Sequence, residues 1–367
     1  MKMVAMLSPI LQDAVNWNRA RVNFLCHFLI ALLKVKTVNF AEIATAFSNN
    51  VKTASNYKRI QRFFRFYTID FSIVAQLMAK MLSIRTNWIL TLDRTNWKFG
   101  KSNINALVLA IAYKGIAFPI IWVLLPKRGN SNTEERMELM ERFISIFSIE
   151  RIQSLTADRE FLGQVWFSYL IRKNIPFCIR IRENMKIANS AGILTRAKNI
   201  FRHLPIGRFQ ILTNPRFING NRMYVIGLRL AHEYLILVTD HNPANALENY
   251  AKRWEIETLF SCLKTRGFCF EETHLVDPRR IEKLIALLGI ALAFAHITGT
   301  WLHERKPIPI KKHGRKTRSF FRYGLDYLRK IVLTQSSQHL CDFQKAIRLL
   351  SSALSIPLLN TPIALAN

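Results

Sequence analysis

Two strand-like runs that each stop at an aspartate constrain this chain more than any other feature. Trp88–Leu92 (WILTL) leads straight into Asp93, and Ile152–Ala157 (IQSLTA) leads into Asp158. A carboxylate that follows a buried strand points into the crevice above the sheet, where open α/β folds bind ligands. Two of them on neighbouring strands offer oxygen ligands to a divalent cation. Around these runs lie the apolar segments Asn105–Tyr113 and Ile116–Leu125, split by Lys114-Gly115 as in a hairpin. A capping-box spacing at Ser131–Glu134 opens a helix to about Ser148, a second helix runs through Phe161–Arg172, and Ile175–Arg182 reads as a strand. The order β-β-β-α-β-α-β predicts an α/β layer with a mixed sheet.

The flanks differ in character. Residues 1–85 read as helices with a basic surface. Within them Val38–Tyr67 predicts two short helices about a polar turn. The first turns Phe40, Ile43, Ala44 and Phe47 inward. The second buries Ile60, Phe63 and Phe64 and carries Lys52, Asn56, Lys58, Arg59 and Arg62, in the manner of a helix-turn-helix that offers donors to DNA. From about residue 184 to 243 the chain reads as an all-β insertion, with strands at Phe209–Leu212, Arg222–Leu230 and Glu233–Val238. Beyond it the pattern is helical. Leu284–Leu302 is long and apolar enough to span a membrane, but it contains His296, Thr298 and Thr300 and has no companion. A helix buried in a large domain is the favoured reading. A basic linker at Lys306–Arg318 precedes a helical C-terminal part, so the expected division is 1–85, 86–305 and 306–367.

Charge narrows the partner. There are 53 Lys and Arg against 24 Asp and Glu, a formal +29. An excess of that size calls for a polyanion, and nucleic acid meets it through phosphate contacts and counterion release. The five cysteines form no CxxC pair, which argues against a zinc knuckle or a disulfide framework and suits a reducing cytoplasm. The N-terminus lacks the pattern of a secretory signal.

Carboxylates are scarce, and a third falls in a distinctive place. Asn245–Arg266 reads as one helix, on which Tyr250, Arg253, Glu257 and Lys264 fall within an arc of about 60°. Ile256, Leu259, Phe260 and Leu263 occupy the adjacent arc and would pack on the sheet. A plain salt-bridge face is the alternative, but the stripe is more basic than pairing needs and includes a phenol.

The spacing Tyr250-x2-Arg253-x3-Glu257-x6-Lys264, with Trp254 directly after the Arg, resembles the signature of bacterial transposases of the insertion sequence 4 family. The segments DRTNWKFG at Asp93 and ADREFLG at Asp158 resemble that family's first two acidic motifs, and the similarity spans about residues 88–334. The resemblance implies a ribonuclease H-like catalytic domain with an all-β insertion. It implies that Asp93, Asp158 and Glu257 hold two Mg²⁺ ions, for which Mn²⁺ can substitute, and that Tyr250, Arg253, Trp254 and Lys264 grip DNA. The implied partners are double-stranded DNA, as terminal inverted repeats and target, and a second subunit in a paired complex. The setting would be the bacterial cytoplasm, with the nucleoid and no membrane. One departure stands out: the family's base-stacking Trp of the β insertion has no counterpart between residues 175 and 245, where Phe209, Phe217 and Tyr224 are the aromatic candidates.

Three other readings compete. A tyrosine recombinase would use Tyr250 as nucleophile but has no role for Glu257. A ribonuclease H-like nuclease without strand transfer shares the acidic site. A non-catalytic DNA-binding protein explains the charge and leaves the three carboxylates unexplained.

Overall fold

Aliphatic and β-branched residues concentrate in the middle of the chain, and there the backbone builds one mixed sheet. The computed structural model describes residues 2–312, 314–334 and 336–358. Its strands are β1 (Trp88–Phe99), β2 (Ser102–Tyr113), β3 (Ile116–Leu124), β4 (Ile152–Ala157), β5 (Phe177–Ile181), β6 (Lys186–Ala188), β7 (Leu194–Arg196), β8 (Phe209–Ile211), β9 (Arg216–Ile218), β10 (Asn221–Arg229) and β11 (Tyr234–Thr239). The main sheet runs β3-β2-β1-β4-β5-β11-β10-β8, with β9 paired to β10. β1, β4 and β5 are parallel to one another, and the other pairs are antiparallel. The β2–β3 hairpin closes on Lys114 and Gly115 at φ 51° and 90°, the two positive values that a tight turn matched to strand twist requires.

The helices are α1 (Lys2–Ala14), α2 (Arg19–Val35), α3 (Phe40–Thr45), α4 (Thr53–Phe66), α5 (Phe71–Leu82), α6 (Thr133–Phe147), α7 (Gln164–Arg172), α8 (Ala197–Ile200), α9 (Ala246–Ala251), α10 (Trp254–Leu263), α11 (Pro278–Arg305), α12 (Phe320–Thr334) and α13 (Ser337–Leu354). Ile43, Ala44, Phe47, Ile60, Phe63 and Phe64 are buried and Phe40 is half-buried against the core, so the helix pair α3–α4 turns inward most of the residues its spacing predicts. Phe24 of α2 stacks on Phe63 with ring centroids 4.2 Å apart. α11 is the buried helix anticipated from its composition: its most apolar stretch is 83% buried, and it packs on α5, α12 and β3. Where α11 crosses α12 the backbones nearly touch. A Cβ on Gly299 would lie 1.8 Å from the Phe320 carbonyl oxygen, and one on Gly324 would lie 1.8 Å from that of Ala295.

Three details differ from expectation. The segment 184–243 is β-rich but carries a helical turn, and most of its strands join the central sheet. β11, β10 and β8 extend the central sheet from β5, α8 is a helical turn, and only the β6–β7 hairpin stands apart. Alternation identifies strands without saying which sheet they join. The capping box of α6 sits one residue later than its sequence suggests: Asn132 Oδ1 accepts from the Glu135 N–H at 2.8 Å, and the Asn132 N–H donates to Glu135 Oε2 at 2.8 Å. Ser131 is buried instead, its Oγ accepting from Arg136 Nε at 2.9 Å. The helix expected at 245–266 is two helices, because the bonds from the N–H groups of Lys252, Arg253, Glu255 and Ile256 reach back three residues rather than four. The C-terminal helices pack back on α1, α2, α5 and α11, and residues 359–367 of that region lie outside the described residues.

Candidate active site

The parallel register of β1 and β4 sets Leu92 opposite Ala157, so Asp93 and Asp158 follow as the next residues on neighbouring strands. Asp93 does not end its strand. β1 continues to Phe99 while still paired to β2, and it is the parallel partner β4 that stops. The extension past Asp93 therefore carries Arg94, Asn96 and Trp97 into the site region. The Asp93 carboxylate accepts from the Arg94 N–H at 2.7 Å, and that of Asp158 accepts from the Arg159 N–H at 2.6 Å. Burial pushes the Asp93 carboxyl up to about 6, against the lowering effect of that backbone bond and of Arg253, with Glu160 and Asp158 adding to the rise.

Arg253 follows the break between α9 and α10, and its side chain is only 6% exposed. One of its nitrogens lies 3.5 Å from Asp93 Oδ2 and the other 2.7 Å from Glu257 Oε1. Burial works against its charge, yet Tyr250, Glu257, Asp158 and Asp93 hold its pKa above the ordinary arginine value. Glu257 is the exposed member, at 44%. Tyr250 is 3% exposed and packs with Cys178, Ile226, Leu237 and Ala246. Its hydroxyl has no hydrogen-bond partner, and burial pushes it up to about 12. Lys264 lies just past the end of α10. Its Nζ reaches the Asn96 carbonyl oxygen at 3.3 Å and Glu271 at 2.8 Å. The four signature residues thus do not share one exposed face. The break in the helix buries Tyr250 and Arg253, and Lys264 docks on the β1 extension. Trp254, 58% exposed, lies beneath the Arg253 guanidinium, 4.8 Å from its ring centroid.

Sequence reasoning missed a clamp around the two aspartates. Arg94 grips Glu160 through Nε at 2.9 Å and through a terminal nitrogen at 3.1 Å, and also donates to Asn105 at 2.9 Å and Asn130 at 3.1 Å. The signal was present in the DR and DRE sequences that follow Asp93 and open at Asp158. The clamp fixes the loop after β4 against the β1 extension.

Lys52, which precedes α4, and Lys58 on it are exposed. Asn56 is not: it is 2% exposed, and its carboxamide bonds Asn49 and the carbonyl oxygens of Ala44 and Val51. It pins the turn between α3 and α4. Arg59 is half-buried, donating to Asn23 at 3.0 Å. Of the aromatic candidates in the β-rich segment, Phe209 and Phe217 are 54% and 71% exposed, and Tyr224 is half-buried.

The donor set suits a hard divalent cation: carboxylate oxygens, with a buried Asp93 whose charge is costly until a cation compensates it. Among the described residues no three metal-ligating side chains gather closely enough to hold an ion, because the Arg253 guanidinium stands between Asp93 and Glu257.

No curated protein matches the chain. Residues 84–294, more than half of it, match the family model described as transposase DDE domain. That match encloses Asp93, Asp158, the Arg94–Glu160 clamp and both halves of the broken helix, and the chain accordingly belongs to the DDE transposase family.

Proposed function

We propose that the chain cuts DNA at the terminal inverted repeats of its own element and joins the ends to target DNA, on a ribonuclease H-like catalytic domain of the insertion sequence 4 type. The observation that carries this reading is the side-by-side placement of Asp93 and Asp158 with Arg253 and Glu257 beside them. Asp93 and Asp158 would hold two Mg²⁺ ions, with Glu257 as third carboxylate once its bond to Arg253 opens. When bound, such ions activate a water or 3′-hydroxyl and stabilise the leaving oxygen. The residues of the chain do the rest. Arg94 keeps the loop of Asp158 in place through Glu160. Arg253, released from the carboxylates, offers a bidentate fork to a phosphate, and Lys264 offers a point charge. Trp254 presents an exposed ring next to them. Phosphoryl transfer of this kind needs positioning and charge stabilisation, and no nucleophilic side chain, so Tyr250 serves beside Arg253 on the phosphate-holding side of the site and not as a nucleophile. Lys52 before α4 and Lys58 on it would contact the repeat, and two subunits would pair the ends.

The test is cleavage of a labelled duplex carrying the inverted repeat that flanks the gene, with Mg²⁺ and with EDTA, by wild type and by Glu257→Gln. Cleavage at the repeat terminus by wild type with Mg²⁺ alone, and not by a variant that still binds, supports the assignment. A variant that cuts as well as wild type sinks it. Nicking without joined product would identify a nuclease, and binding without any cut a non-catalytic DNA-binding protein.

A further inference from the structure

One strand beyond Asp158 the acidic character of the site gives way to a cationic groove. Arg159, Arg182, Lys186 and Arg196 line a space of about 680 Å³ at the carboxyl end of β5 and along the β6–β7 hairpin. The two carboxylates in its wall are already occupied: Glu183 binds Lys198 at 3.1 Å and Glu233 binds Arg180 at 2.6 Å. Lys198, the fifth cation of the lining, is thus paired, whereas the other four are exposed and none has a carboxylate within 4 Å among the described residues. Lys186 and Arg196 moreover face each other directly across the hairpin. Like charges in opposed positions destabilise a strand pair, and among the described residues neither cation has a carboxylate within 4 Å to offset the repulsion.

β1, β4 and β5 are adjacent and parallel, so Asp93 within β1, Asp158 just past β4 and Arg182 just past β5 follow one another across the sheet, Arg182 lying two residues beyond the level of Asp158. Two strand spacings of about 4.8 Å, with two residues of rise at about 3.3 Å, set the Arg182 backbone roughly 12 Å from Asp93. We propose that this groove carries the backbone phosphates of the DNA strand within a few nucleotides of the scissile phosphate. The Lys186–Arg196 pair is then a repulsion that the bound strand relieves. The proposal rests on the transposase reading.

The experiment is equilibrium binding to the labelled repeat-end duplex in EDTA, across a series of salt concentrations. For Arg182→Ala/Lys186→Ala/Arg196→Ala the slope of log K against log salt becomes shallower by roughly 2.7, three contacts at about 0.9 each. The charge-keeping variant Arg182→Lys/Lys186→Arg/Arg196→Lys retains the wild-type slope. Lys186→Glu weakens DNA binding severalfold while its Tm holds or rises, because it creates an opposite-charge pair with Arg196. Methylphosphonate replacement of single phosphates beside the cut weakens wild type and leaves the triple alanine variant indifferent at the positions the groove holds. An unchanged slope in the triple alanine variant, or methylphosphonate effects equal in both proteins, overturns the groove. Because binding is read without metal, that result leaves metal-dependent cleavage standing. Absence of cleavage by wild type would remove the transposase reading instead.

Discussion

The Arg253 guanidinium lies 3.5 Å from the Asp93 carboxylate across 160 positions of sequence, and the same group bonds Glu257 at 2.7 Å. One buried cation therefore serves two of the three carboxylates that the proposed chemistry requires. Removing it should do more than remove a charge. Arg253→Ala is expected to lower the single-turnover rate of end cleavage about a hundredfold or more, the scale on which a preorganised charge-stabilising donor acts. Arg253→Lys is expected to recover less than a tenth of the loss, since an ammonium lacks the planar fork. A lysine variant with wild-type rates would mean that charge alone suffices.

Asp93 itself is held in a costly state. Its carboxyl is pushed up to about 6 by burial, from an ordinary 3.8. A raised acid binds its proton more tightly in the folded chain, so its cost is fully present above pH 6 and fades as pH falls through 6 towards 3.8. Asp93→Asn should therefore stabilise the metal-free protein at pH 7.5 by up to about 3 kcal/mol and have little effect near pH 4. Urea melts at the two pH values would read this directly. Equal shifts at both would place the cost elsewhere.

His296 works in the opposite direction. It lies in the core between Phe118, Tyr113 and Phe320, neither ring nitrogen has a partner, and burial, followed by the charge of Lys114, lowers its pKa to about 3. The unfolded chain takes up the proton at about 6.5, so stability is intact above that value and is lost progressively from 6.5 towards 3. His296→Leu should match or exceed wild type at pH 7.5 and be more stable by about 2 kcal/mol at pH 5. Parallel pH profiles of the two proteins would mean that other groups, such as His27 with its pKa lowered to about 4, dominate acid unfolding.

Two glycines of α11 make a matched pair. At Gly299 an added Cβ meets the Phe320 carbonyl oxygen at 1.8 Å, a backbone atom that cannot yield without moving α12. At Gly289 it meets the Met78 sulfur at 2.6 Å, the far end of a flexible side chain. Gly299→Ala is expected to cost about 1–3 kcal/mol despite the gain in helix propensity. Gly289→Ala should lie near neutral. Thermal melts that rank them the other way would show that the α11–α12 crossing can open.

Much of this architecture was legible in the residues. WILTL and IQSLTA are legible as short apolar and β-branched runs, with Gln153 turned to solvent, and Lys114-Gly115 marks its hairpin because glycine takes a positive φ at no steric cost. The inward set Ile43, Ile60 and Phe63 follows from period alone. What sequence did not give depends on distant partners. Asp93 seemed a strand end because the apolar run stops there, whereas pairing with β2 carries β1 on to Phe99. Asn56 reads as a donor on a basic helix, and only the approach of Asn49 and Val51 shows that it is spent inside. The break at Lys252 and Arg253 has no proline or glycine to announce it. The Arg94–Glu160 clamp joins residues 66 positions apart, which local spacing cannot register.

The loop that follows Lys264 holds two adjacent glutamates with different partners. Glu271 binds Lys264 at 2.8 Å, while Glu272 accepts from the Thr37 hydroxyl, in the turn leading to α3, at 2.8 Å. A single peptide unit thus splices the helix pair α3–α4 to the end of α10. Any tilt of α3 and α4 pulls on the same few atoms that anchor Lys264 to the sheet, so a movement of this helix pair is mechanically felt at the end of α10.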